Sequence, residues 1–199
     1  MKKIIISVIC LALVVPMFNG CKKGENDPMS LKSRKARLTG EWELVEWQST
    51  SISGSNITTI NFSGSSKITL FGSFSATTTY SESMEIMKDG TYESKFTESD
   101  TSSTYSCTST GGWFWVGKNK ELEYKNKERV GMQETSSTCI YTSSSFSDTD
   151  ISTSTGDSGV TTWRIDMLKN KEMIVVMEYI ALDNGDLYSV TETRTYEKQ

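Results

Sequence analysis

The sequence predicts an all-β protein: an antiparallel up-and-down β-barrel of about eight strands, preceded by a cleaved signal peptide and a flexible tether. Three observations carry this. Apolar residues recur with a period of two after residue 40, tight-turn dipeptides separate the alternating runs, and no helical stripe interrupts them. The 199 residues suffice for one domain with an appendage, and neither a repeat nor an interior linker divides them.

The alternation is clearest at the C-terminal end. Trp163, Ile165 and Met167 alternate with Arg164 and Asp166, and Lys169-Asn170 then turns the chain. Met173, Val175, Met177 and Tyr179 alternate with Glu172 and Glu178. Asp183-Asn184-Gly185-Asp186 contains Asn-Gly, the strongest short-range hairpin signal. Beyond it Tyr188, Val190, Glu192, Arg194 and Tyr196 share one face and Thr191, Thr193 and Thr195 the other, which makes a three-stranded meander. Upstream, residues 41–49 read as the first strand, and 67–80 as one long strand or two broken at Gly72. Residues 83–87 and 91–97 flank Asp89-Gly90, and 113–116 and 121–125 flank Gly117-Lys118-Asn119-Lys120, giving two more hairpins. Antiparallel strands in this number must close or stack to hide their edges. Consecutive hairpins favour the up-and-down barrel over a Greek-key sandwich, and a barrel of this size has room for one small ligand.

Ser and Thr are densest at residues 97–110 and 135–162. They read either as exposed loops and solvated strand faces, or as hydroxyls lining a wet cavity that binds a polar ligand. The segment 111–115, Gly-Gly-Trp-Phe-Trp, reads as a core strand or as a sugar-stacking platform.

Composition narrows the chemistry. The chain has no histidine, which removes Ser-His-Asp and Cys-His nucleophile systems and every His-containing zinc site. A net charge of −4, a pI near 5.1 and the lack of a basic run argue against nucleic acid as a partner. No cofactor motif is present. Counting by twos places Glu46 on the face of Trp42 and Leu44, and Glu192 on that of Arg194; an inward carboxylate pair is a hydrolytic acid/base couple in principle. Nothing supplies a nucleophile with its activating base, so the expectation is a non-enzymatic protein with no catalytic residue.

The N-terminus reads as an address. Lys2 and Lys3 precede an apolar run over residues 4–15, followed by Pro16 and then Asn19-Gly20-Cys21, the n/h/c order of a secretory signal over residues 1–20. The run is short for a membrane span, and an uncleaved anchor helix is the alternative. Gly20-Cys21 resembles the lipobox of bacterial lipoproteins. That resemblance implies that Cys21 carries an acyl chain such as palmitate and starts the mature protein, and that Lys22 in the next position directs it to the outer membrane, on either face. Residues 21–37 follow as a polar, aperiodic tether. In an exported domain Cys107 and Cys139 read as a disulfide closing a loop of about thirty residues, or as two buried thiols; they lack partners at metal-ligand spacing.

Leu38-Thr39-Gly40-Glu41-Trp42-Glu43-Leu44 resembles the Gly-x-Trp opening of lipocalins and of the lipocalin-like domains of small Gram-negative lipoproteins. Thr195-Tyr196-Glu197-Lys198 is similar to their closing strand. The resemblance implies a barrel over residues 38–199 whose floor is closed by Trp42 behind Gly40, with the Arg194 guanidinium stacked on the indole; Arg164 is a rival whose phase is outward. It further implies a lipid-anchored monomer of the cell envelope that binds a small hydrophobic or amphipathic ligand, a lipid or glycan fragment. The competing expectation is a filled barrel acting on a protein partner, as an inhibitor or accessory subunit of an outer-membrane complex.

Overall fold

Thr, Val, Ile and aromatic residues on half-buried surfaces favour strand, and strand dominates the chain. The computed structural model describes Asp27 and residues 32–121, 123–143, 148–155, 159–183 and 186–199; residues 1–20, Cys21 and the Asn184-Gly185 turn lie outside them. One short helix, α1 (Arg34–Leu38), precedes β1 (Gly40–Ser53), β2 (Asn56–Ser63), β3 (Ser66–Phe71), β4 (Phe74–Ile86), β5 (Thr91–Ser99) and β6 (Ser103–Val116). Then come β7 (Arg129–Ser143), β8 (Asp148–Thr155), β9 (Val160–Leu168), β10 (Glu172–Asp183) and β11 (Asp186–Lys198). The order β6-β5-β4-β3-β2-β1-β11-β10-β9-β7 closes through β6–β7, and β8 pairs with β7 outside that circuit.

The architecture is therefore a closed antiparallel meander, with ten strands in the circuit where about eight were expected. The excess lies in Ser/Thr-rich segments whose composition resembles loop. β2, Asn-Ile-Thr-Thr-Ile-Asn-Phe-Ser, forms a hairpin with β3 wedged between the upper parts of β1 and β4. Below it β1 pairs β4 directly, over residues 40–43 and 83–86. The wall thus gains two strands on going from the α1 end to the other, and because barrel diameter grows with strand number the lumen widens from floor to mouth. The described residues of 121–125 do not form a strand. The connection after β6 carries a single bridge, Asn119 to Tyr124, and β6 pairs with β7 instead.

Three bulges break the count by twos. The extra residues are Val45 in β1, Thr135 in β7 and Asp166 in β9. The first sends Glu46 to the outer surface, where it accepts from Gln48 at 2.9 Å, and turns Trp47 inward at 9% exposure. The third buries Leu168 in place of Met167.

The floor is the driest part of the molecule. Leu38, Trp42, Leu168, Met173 and Tyr196 have no exposed surface, and Trp42 Nε1–H donates to the Leu38 carbonyl at 2.7 Å. Gly40 holds φ +133°, which favours glycine, and a Cβ there would lie 2.4 Å from Lys198 Cε and displace the lysine that crosses it. Part of the stretch read as tether belongs to this floor. The Asp27 carboxylate accepts from Arg34 Nε, Arg37 Nη2 and the Leu168 N–H, each at 2.9 Å, with all three charged side chains buried. The guanidiniums also donate to the carbonyls of Lys127 and Leu168, which supplies most of the hydrogen bonding that buried charges demand and leaves Arg37 Nε without a partner.

Candidate functional site

Above the floor the lumen contains a cavity of about 520 Å³. Eight strands contribute to it because their inward residues alternate with solvated ones: Trp47 from β1, Lys67 from β3, Tyr80, Glu82 and Met84 from β4, Phe96 and Glu98 from β5. Tyr105 and Ser109 of β6, Met132 and Glu134 of β7, Trp163 of β9 and Arg194 of β11 complete most of the wall.

Arg194 does not stack on Trp42. Its guanidinium lies 4.6 Å from the centre of the Trp47 ring, and the cation over Trp42 is the Lys198 ammonium at 4.9 Å. The bulge at Val45 accounts for the exchange: register pairs Trp42 with Lys198 and Trp47 with Arg194. A count by twos from Trp42 lands on Glu46 and misses Trp47. The same shift dissolves the supposed Glu46–Glu192 couple, since only Glu192 faces inward, where it accepts from Arg194 Nε.

Glu82 is the hub of the interior. Its carboxylate accepts from Arg194 Nη1 at 2.8 and 2.9 Å, from the Tyr196 hydroxyl at 2.7 Å and from the Tyr80 hydroxyl at 2.7 Å. Burial first, and then the neighbouring Glu82 carboxylate, push both phenols well above the ordinary tyrosine range. Burial alone would lower the Arg194 value; its contacts with Tyr196, Glu82 and Glu192 overcome that and hold the guanidinium charged. A second ion pair, Lys67 with Glu98, sits nearer the mouth, with the Thr78 hydroxyl donating to Glu98 at 2.8 Å. Glu82 and Lys67 escaped the sequence reading. The signal for Glu82 was present, since Tyr80, Glu82, Met84 and Ile86 form one alternating set with a carboxylate in the apolar phase.

The rings form a continuous track. Trp47 contacts Tyr80 at 5.7 Å between centroids, Tyr80 stacks on Phe96 at 6.0 Å, and Phe96 meets Tyr105 edge-on at 5.6 Å. It runs from the ion cluster to the mouth. Cys107 and Cys139 are directly opposed on β6 and β7 and form a disulfide. Gly-Gly-Trp-Phe-Trp is the lower end of β6: Trp113 is buried and donates from Nε1 to the Met87 carbonyl at 2.8 Å, so the core-strand alternative describes it. Among the described residues no cluster of three His, Cys, Asp or Glu side chains could hold a metal ion. No protein-family description, curated protein or solved structure matches this chain.

Proposed function

We propose that this chain is a lipocalin-like, lipid-anchored binding protein of the outer membrane that holds a small amphipathic ligand inside its barrel. The observation that carries the reading is the cavity of about 520 Å³, a volume within the roughly 300–1,000 Å³ of small-molecule sites. Its lining supports it: aromatic faces beside a few fixed polar groups, the combination that binds and orients a small molecule. An open lumen also weighs against the competing reading of a filled barrel that acts only through a protein partner. The signal at residues 1–20 and Cys21 at its end support the anchor.

Native mass spectrometry of the exported full chain tests the binding. The expected spectrum shows one chain carrying a small molecule of constant mass. A spectrum of unliganded chain alone, with no small molecule in an organic extract of the same preparation, would overturn the reading. The anchor has its own assay: radiolabelled palmitate is expected on the native chain and not on Cys21→Ala, and label on both would remove the lipid from Cys21.

A further inference from the structure

The lumen combines two chemistries that few ligands satisfy together. Its lining is ionised at two levels, Arg194 with Glu82 deeper and Lys67 with Glu98 nearer the mouth, at side-chain exposures of 10–27%. An alkyl tail seated there would strip residual water from these charges and return no hydrogen bond, a loss that methylene burial does not recover. The remaining wall is aromatic, and it continues beyond the cavity. Three aromatic pairs ring the mouth: Phe71 opposite Phe74, Tyr105 opposite Tyr141, and Tyr179 at 5.9 Å from Tyr188. All six share the inward phase of their strands: Phe71 with Lys67, Phe74 with Tyr80, Tyr105 and Tyr141 with the two cysteines, Tyr179 with Val175, and Tyr188 with Glu192. At 40–63% exposure, five of them are open to solvent.

We infer that the ligand is a saccharide chain, with a terminal ring among the ionised groups and the following rings laid along Phe96 and Tyr105 to the aromatic collar. This deepens the binding reading above and rests on it. A pyranose has an apolar C–H face that packs on a π-surface and a hydroxyl edge that both donates and accepts. The first fits the ring track; the second meets carboxylates and cations in the same plane. Lys67 and Arg194 lie over the deep rings, Tyr80 and Trp47. Among the described residues no cation lies over Phe96 or Tyr105, so these two faces are left for C–H groups. Tyrosine suits the collar because it presents a rigid, amphipathic surface with little side-chain entropy to lose.

Titration calorimetry of the full chain tests the inference, using gluco-, N-acetylchito- and xylo-oligosaccharides from disaccharide to hexasaccharide, with palmitate as the contrasting probe. At least one saccharide series is expected to bind, and to bind more tightly as the chain lengthens from cavity to collar. Tyr105→Ala is expected to weaken the longer members about five- to tenfold with its melting midpoint little changed, and Tyr105→Phe to restore them. Palmitate binding with no saccharide binding overturns the saccharide assignment and leaves the binding barrel standing. Binding of neither overturns both. Saccharide affinity indifferent to both Tyr105→Ala and Phe96→Ala removes the ligand from the lumen.

Discussion

The two ends of the barrel use the same kinds of side chain for opposite purposes. At the floor, Trp42 and Tyr196 are wholly enclosed, and Asp27 with its two arginines is sealed beneath them. At the mouth, Phe71, Phe74 and Tyr179 stand about half exposed, and the Ser/Thr-rich upper strands carry little apolar cover. The difference follows from strand number. Where β1 meets β4 the circuit is narrow enough for side chains to fill it; where the β2–β3 hairpin enters, the same chain encloses space. An aromatic residue in this protein is thus a stability element or a binding element according to its height in the wall.

Substitutions at the two ends put that contrast on a scale. Trp42→Ala is expected to cost about 3–5 kcal/mol in chemical denaturation, because the fully enclosed floor cannot collapse onto the void. A midpoint equal to the native one would show that the floor is not packed as described. Asp27→Ala should cost a comparable 3–5 kcal/mol or so, since it leaves two buried guanidiniums around a missing carboxylate; Arg34→Met combined with it should recover part of the loss. Next comes the Cys107–Cys139 bond, which ties together the sparsely packed upper wall. Replacing both cysteines by serine is expected to lower stability by about 2–4 kcal/mol under oxidising conditions and to have no effect under reducing ones.

A smaller effect reads the phenols that bond Glu82, where the floor meets the lumen. Tyr196 and Tyr80 hold their phenolic protons above the ordinary value of 10.0 in the folded state. Their contribution is fully present below about pH 10 and falls as pH rises further, because the unfolded chain releases those protons first. Thermal melts at rising alkaline pH should therefore lose stability, and Tyr196→Phe should remove a slope of about 1.4 kcal/mol per pH unit. An unchanged slope in that variant would place the titration elsewhere. The smallest change is expected for Phe74→Ser at the rim, within about 0.5 kcal/mol of native. A loss as large as that of Trp42→Ala would erase the distinction between floor and mouth.

Much of the fold was legible because burial of one strand face writes a period of two into the chain. The three C-terminal strands, the Asp89-Gly90 hairpin and the break at Gly72 all follow from it. β2, β8 and the upper half of β7 were not, because Thr, Ser and Asn serve both solvated strand faces and loops; their pairing is decided by neighbours far away in sequence. The site was less legible still. One extra residue, Val45, exchanges Glu46 for Trp47 and moves the Arg194 contact from one tryptophan to the other, and no composition or spacing marks a bulge of that kind. Asp27, Arg34 and Arg37 looked like tether polarity because the backbone groups they bond, at Lys127 and Leu168, lie 93 to 141 residues on.

That buried aspartate also fixes a geometry. Six peptide links separate Asp27 from Cys21. Even fully extended they span no more than about 20 Å. With the proposed acyl chain on Cys21, the leash is short and attached at the closed end, so the barrel would stand upright on the bilayer like a cup on a table. Its rim would face away from the lipid that holds it, and whatever it collects would arrive from the aqueous side and not from the leaflet underneath.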